Sequence, residues 1–368
     1  MPTVYDVASV AGVSTATVSR YFRQPEKVAE ATREKIRSVV VALGYVPSGS
    51  ARGLAARQTG VFGLCTWGRH EPDEFALPPL EAGAPVSIAR DVAEPRLYPL
   101  FADEVLRGAQ LECTVRGFAL MLGWGEDDPG HAMISEVAGR VDGLVVLPGV
   151  VPDEVLEHVA RRIPVVVIAD PPGAGSPLSH VTVDNVGGMR AMTDHLLAAH
   201  GLRDLWFVGL QERRSADGAE RFQGFRSALR AAQLPVPDEP QLRGTGFRVD
   251  ARAMTEEMLR GGSLPEAIVC GSDQIALGVI DVLVRNGVRV PGDIAVTGFD
   301  GLDAGRFLRP GLTTVRQPMD ALGRVAVELL TDQVSQGRRA PAHRQLPVQV
   351  VLRESCGCPP AQAVARAG

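Results

Sequence analysis

Near the start of the chain, Ser14, Thr15, Ala16, Thr17, Ser19 and Arg20 form a run of small and hydroxylated residues that ends in an arginine. The chemistry they offer is that of reading DNA. An arginine forks two donors onto guanine, a threonine presents a hydroxyl or a methyl, and an alanine can only touch a thymine methyl. Farther along, Arg221, Phe247 and Asp273 sit where strand-like runs end or helices begin. An arginine, an aromatic ring and a carboxylate are the groups that bind a small polar molecule. From sequence alone each has a plain alternative: a surface arginine, a core phenylalanine, and an aspartate that caps a helix.

The first set is useful only on a rigid element, and the flanking residues supply one. Thr3 is placed to cap a helix that begins at Val4, with Asp6 in its positively polarised first turn. Val7, Ala8 and Ala11 recur at helical spacing. Gly12 permits a left-handed turn, Val13 plugs the corner, and Ser14 caps a second helix over Thr15 to Phe22. A third helix, about Glu30 to Leu43, buries Ile36, Val39, Val40 and Leu43. Two short helices across a tight turn, closed by a third, predict a helix-turn-helix head whose second helix enters the major groove.

Charge supports this division. Residues 1–60 hold eight Lys/Arg against four acids, a net of +4, while the 368-residue chain carries −5 and the remainder therefore −9. A basic head on an acidic body fits a nucleic-acid-binding module joined to a part that avoids DNA. Val46-Pro47-Ser48-Gly49-Ser50 breaks the third helix, and Ala51 to Ala56 is a short helical stretch weakened by Gly53. From residue 61, apolar runs such as Val61–Cys65, Val165–Ile168 and Ala267–Cys270 alternate with amphipathic helices. That alternation predicts parallel sheets covered on both faces, in a number that suits two α/β lobes.

Other chemistries lack their residues. No G-x-G-x-x-G follows the first strand, and there is no Walker motif or G-x-S-x-G. No cofactor and no catalytic residue is expected. The five cysteines are too scattered for a disulfide framework. Cys356-Gly-Cys358 has no second cysteine or histidine pair nearby in sequence, and His195 and His200 are five apart on one predicted helix, so no metal is expected. No apolar run reaches a membrane span, and the N-terminus lacks a signal-peptide pattern, so a cytoplasmic protein is expected.

The stretch YDVASVAGVSTATVSRYF, with VAEATREKI and LGYVPSGSARGLA, resembles the LacI-type repressor family, and the likeness continues to RESCGCP. The resemblance implies a body folded like the periplasmic sugar-binding proteins, with an effector in the cleft between lobes. The domains it implies are a head over 1–46, a linker and hinge helix over 47–60, the body over 61–358 and a tail over 359–368. It assigns base reading to Thr15, Ala16 and Arg20, and phosphate contacts to Ser14, Thr17 and Ser19. In the hinge it matches Leu54 to a minor-groove wedge, with Arg52 beside it. It matches Arg221, Asp273 and Phe247 to effector contacts, with Asp170 and Asp217 as further matches. It also places the helix from Leu100 to Gly117, with Leu100, Phe101, Val105, Leu106 and Ala109 on its apolar face, at a dimer interface; the bare sequence equally allows core packing.

The expectation is therefore a dimeric, ligand-responsive repressor of a catabolic, sugar-related operon. It would bind a pseudo-palindromic operator in double-stranded DNA and a sugar or related polar metabolite. The rival is a cytoplasmic sugar-binding or sugar-modifying protein with a vestigial head. One segment departs from the family: residues 69–97 are inserted between the first strand and the next helix, rich in proline and acid. Because it leaves the carboxyl end of a strand, it is expected near the ligand crevice or the adjoining dimer surface, either as a lid with Trp67 stacking at its base or as a solvated loop with no role.

Overall fold

The computed structural model describes residues 2–46, 58–67, 100–125, 131–169, 171, 173, 175–210, 216–244, 248–337 and 340–360. The chain separates into two compact units, residues 1–60 and 61–368.

The first unit is helical. α1 (Val4–Ala11), α2 (Thr15–Arg23) and α3 (Glu30–Leu43) surround one small core of Val7, Ala8, Ala11, Val18 and Ile36. Burying a side chain the size of Ile36 contributes about 1.5–3 kcal/mol, so this minimal core depends on each member.

Among the described residues the second unit holds two six-stranded sheets. The first contains β1 (Val61–Trp67), β2 (Ala119–Gly125), β3 (Gly143–Val146), β4 (Val165–Ile168), β5 (Ser179–Val183) and β11 (His343–Leu346), in the order β11-β5-β4-β3-β1-β2. The second contains β6 (Leu205–Leu210), β7 (Leu242–Gly244), β8 (Ala267–Cys270), β9 (Ala295–Asp300), β10 (Thr313–Arg316) and β12 (Gln349–Val351), in the order β12-β10-β9-β8-β6-β7. All pairings are parallel except β10 with β12. β3, β4, β8 and β9 are buried at every residue, as strands covered on both faces must be.

Among the described residues the helices of this unit are α4 (Leu100–Arg116), α5 (His131–Ala138), α6 (Asp153–Ala160), α7 (Asn185–Ala199), α8 (Ala216–Ala231), α9 (Arg248–Arg260), α10 (Asp273–Arg285), α11 (Asp303–Phe307) and α12 (Met319–Gln336). α7 packs on α8 and the second sheet, whereas α12 returns to the first and packs on α4. The chain therefore crosses between lobes three times: from β5 to α7, from β10 to α12, and from β11 to β12.

The apolar face of α4 packs within the chain. Val105 and Ala109 are fully buried, and Leu100, Phe101 and Leu106 pack against the same core. Gly108 abuts the Asp320 backbone and Gly323 abuts that of Val105, so α4 and α12 touch backbone to backbone. That face is core. The apolar residues α4 leaves exposed are Leu111 and Val115, one turn apart. No described helix is long and apolar enough to cross a membrane.

Candidate functional site

In the head, the local sequence sets the geometry of α2. Thr3 Oγ1 accepts from the Asp6 N–H at 3.4 Å, while the Asp6 carboxylate accepts from the Thr3 N–H and hydroxyl, each at 2.7 Å. The Thr3 hydroxyl and N–H donated to it hold the Asp6 carboxyl below its usual value. Gly12 takes φ 60°, ending α1 in the left-handed region. Ser14 Oγ accepts from the Thr17 N–H at 3.1 Å and lies 2.9 Å from the Thr17 hydroxyl. Both hydroxyls thus belong to the cap. Val18 is buried against α1, which turns Ala16 and Arg20 outward as an exposed pair one turn apart, with Thr15 and Ser19 half-buried beside them. Arg20 enters no ion pair among the described residues, so its fork of donors is available.

In the body, the first crossing and the carboxyl ends of β8 and β9 bring charged groups together. Arg221 is 5% exposed. Its Nε donates to Asn185 Oδ1 at 3.0 Å and a terminal nitrogen donates to the Gly271 carbonyl at 2.7 Å. Asp300 Oδ1 lies 3.5 Å from that same terminal nitrogen and Asp217 Oδ2 3.7 Å from the other, and the guanidinium stacks 3.9 Å from the Phe299 ring centre. Asn185 in turn donates to Glu220 at 3.0 Å. Gln317 Nε2, at the second crossing, donates to Asp300 Oδ1 at 2.7 Å. Asp300 itself has φ 133°, an uncommon backbone for a side-chain-bearing residue, fixed by these contacts.

Asp273 does not cap a helix, the plain alternative the sequence offered. Ser272, not Asp273, caps α10. The Asp273 carboxylate is fully buried: one oxygen accepts from the Gly301 and Leu302 N–H groups at 2.9 and 2.7 Å, the other from the Thr314 hydroxyl at 2.6 Å. It pins the turn after β9 to β10. Burial pushes Asp273 and Asp300 up from ordinary carboxylate values. The neighbouring Asp300 charge adds to the rise at Asp273, and Arg221 opposes it at Asp300.

Arg221 and Asp217 are thus brought together, and Asp273 stands behind them through Asp300. Asp170 and Phe247 lie outside the described residues, as do Arg52 and Leu54 of the hinge, the inserted segment 69–97, and 361–368 of the tail. Sequence reasoning missed Asn185, Phe299, Asp300 and Gln317. Asp300 ends a buried apolar strand just as Asp273 follows one, so the same strand-end rule would have found it. Asn185 and Gln317 gave no such signal, since only the crossings place them. A separate groove of about 410 Å³ runs along α8 from Gly218 to Arg230 beside Asp238 and Pro240, and includes none of these charged cleft groups.

The expectation that Cys356 and Cys358 lack a second ligand pair is corrected by the fold. His195 and His200 lie beside them, and the four ligand atoms fall within 4.8 Å of one another.

Comparison with known proteins gives these arrangements a family. Residues 3–48 match the model of bacterial regulatory proteins of the lacI family, and residues 193–356 match a periplasmic binding protein-like domain. The HTH-type transcriptional repressor PurR of Pectobacterium carotovorum subsp. carotovorum (strain PC1) is 32% identical over 349 residues, covering 93% of this chain and 93% of its own length. The structure is similar to that of the Lac repressor dimer bound to operator and the anti-inducer ONPF, with TM-score 0.75, 25% identity, and coverage of 96% of this chain and 99% of that one. It is also similar to the transcriptional regulator CelR–cellobiose complex, with TM-score 0.66, 28% identity, and coverage of 96% and 100%. A helix-turn-helix head on a two-lobed ligand-binding body defines a transcription regulator, and this chain belongs to the lacI family of such bacterial regulatory proteins.

Proposed function

We propose that the chain is a ligand-responsive repressor that binds a pseudo-palindromic operator as a homodimer in the cytoplasm and performs no catalytic step. The observation that carries this reading is the presentation of Ala16 and Arg20, outward and unpaired, on a helix fixed by the Ser14 cap and the buried Val18. A vestigial head would have no need of that rigidity. Thr15, Ala16 and Arg20 read base edges, and Ser14, Thr17 and Ser19 face phosphates, the first two of these through whatever capacity the cap leaves. Leu54 and Arg52 act in the minor groove. Leu111 and Val115 on α4, with half-exposed Leu122 on edge strand β2, provide apolar surface for a second copy.

The effector is a neutral polyhydroxylated molecule, and the operon is sugar-related. Two buried carboxylates, Asp217 and Asp300, flank one guanidinium, and a third, Asp273, is buried behind Asp300. That balance repels an added anion and accepts hydrogen bonds from hydroxyls. Gln317 Oε1 is buried without a partner, an acceptor that a ligand hydroxyl would satisfy. CelR in its cellobiose complex, of the same fold, supports a saccharide. Effector binding that favours one lobe arrangement shifts the dimer away from the operator-binding form.

Selection of operators from a pool of randomised palindromes, followed by anisotropy titration, tests the reading. Arg20→Ala is expected to weaken the selected site by about 1–3 kcal/mol and to relax one base pair per half-site. Addition of sugars, but not of sugar phosphates, is expected to shift operator affinity. Unchanged selection by Arg20→Ala would overturn the assignment.

A further inference from the structure

α7 carries Asn185 at one end and His195 near the other, ten residues on, which puts the histidine about 15 Å along the helix axis from the cleft. There the structure gathers four side chains from the two ends of the second lobe's chain path. His195 Nε2 and His200 Nε2 are 3.2 Å apart. Cys358 Sγ is 3.4 Å from His195 Nε2 and 3.6 Å from His200 Nε2, and Cys356 Sγ is 3.8 Å from His195 Nε2.

These separations are those of a tetrahedron around one ion. With zinc–sulfur bonds of about 2.3 Å and zinc–nitrogen bonds of about 2.0–2.1 Å, neighbouring nitrogens stand about 3.3 Å apart and each sulfur about 3.6 Å from each nitrogen. A hydrogen-bonded chain would pair each donor with one acceptor. Here both ring nitrogens and both sulfurs lie within 4.8 Å of one another, and thiols are weak donors that gain little from such convergence.

The surroundings fit the same purpose. His200 ends α7, and its ring turns back toward His195. Gly357 separates the cysteines at φ 103°, and a Cβ there would come within 3.3 Å of the His200 ring, so glycine lets the C-x-C turn close over the imidazole. The Thr313 hydroxyl stands 3.1 Å from Cys356 Sγ, where a donor supports a metal-bound thiolate. Cys356 is buried and the other three are half-buried.

We propose that His195, His200, Cys356 and Cys358 bind one Zn(II) ion that clips the C-terminal segment to α7. Two thiolates and two imidazoles in tetrahedral array select zinc over oxygen-seeking cations, and four protein ligands leave no open position, so the site is structural. On binding, two zinc–sulfur bonds form as the two thiols release two protons to solvent, and the neutral imidazoles coordinate through Nε2. The inference does not depend on the regulatory reading, since it concerns neither operator nor cleft.

The test uses the full chain, purified without a histidine tag under reducing conditions, with metal content measured by mass spectrometry. About one zinc per chain is expected. Cys358→Ser and His200→Gln should each lose it, while Cys113→Ala should keep it. Replacing zinc with Co(II) should give the intense visible bands of a tetrahedral ion and a thiolate charge-transfer band in the near ultraviolet. This measurement needs only the unaltered chain, so it decides the matter even where a variant fails to fold. A metal-free chain that gives only the pale spectrum of six-coordinate cobalt would overturn the proposal. So would zinc retained by both ligand variants, or a Cys356–Cys358 disulfide under these conditions.

Discussion

The two ends of α7 hold two polar clusters built on opposite terms. At the Asn185 end, carboxylates and a guanidinium meet with a donor for almost every acceptor. Asp273 alone accepts from Gly301, Leu302 and Thr314. At the His195 end, four ligand atoms meet one another, and only Cys356 Sγ has further polar neighbours, the Thr313 hydroxyl and the Arg353 carbonyl, among the contacts of the described residues. The first cluster is charged but satisfied, and what it lacks is hydroxyls to occupy its remaining acceptors. The second is neutral and unsatisfied, and what it lacks is a cation. Burial alone does not separate the two; the census of donors against acceptors does.

The largest expected effect breaks the first cluster. Arg221→Ala leaves Asp217 and Asp300 buried without their counter-charge, which should cost about 3–5 kcal/mol in denaturant unfolding and abolish the effector response. A cost below about 1 kcal/mol would show that the carboxylates are neutral or solvated without it. Next comes the second cluster. Stripping zinc with a chelator should lower stability by about 2–4 kcal/mol, in the range of a cross-link closing a long loop. Readded zinc should restore it, and the Cys358→Ser chain should respond to neither step.

Asp273→Asn sharpens the comparison with a smaller change, about 1 kcal/mol. Its amide oxygen can still accept from Gly301 and Leu302, and the Thr314 hydroxyl can turn to accept from the amide. The informative quantity is pH. Because burial raises the folded-state value of Asp273, its contribution to stability is full below the usual 3.8 and is lost as pH rises through the raised value. The asparagine variant lacks that loss, so relative to the unaltered chain it should gain as pH rises from the acid range toward neutrality. The smallest effect is the coupling between clusters. At about 15 Å, Arg221→Ala and Cys358→Ser should add to within about 0.5 kcal/mol, and a larger deviation would mean that α7 transmits strain from one end to the other.

What the sequence showed depended on whether a property was local. The head was legible because caps, the Gly12 turn and the Val7, Ala8, Ala11 spacing are all short-range, and α3 and α4 are found at Glu30–Leu43 and Leu100–Arg116 as expected. β4 and β8 were legible as unbroken apolar runs. β11 (HRQL), almost wholly exposed, and β5 (SHVTV), with a histidine in its middle, carry no such run and are defined by their pairing with each other. The zinc cluster escaped for two reasons. Residues five apart on a continuing helix point about 140° away from each other, but the helix ends before His200 and frees its ring to return. The cysteines stand 156 residues or more along the chain from the histidines, a separation that only the crossings between lobes reveal.

Those crossings also restrict how the body can respond to a ligand. β5 ends at Val183 and α7 begins at Asn185; β10 ends at Arg316 and α12 begins at Met319; β11 ends at Leu346 and β12 begins at Gln349. Each bridge is one or two residues long, with no slack to let the lobes slide or part. The motion left to them is a twist about the bridges, in which displacement grows with distance from the pivot. A sub-ångström adjustment around Gln317, on the middle bridge, would therefore be largest at the far rim of each lobe, as in a lever worked close to its fulcrum.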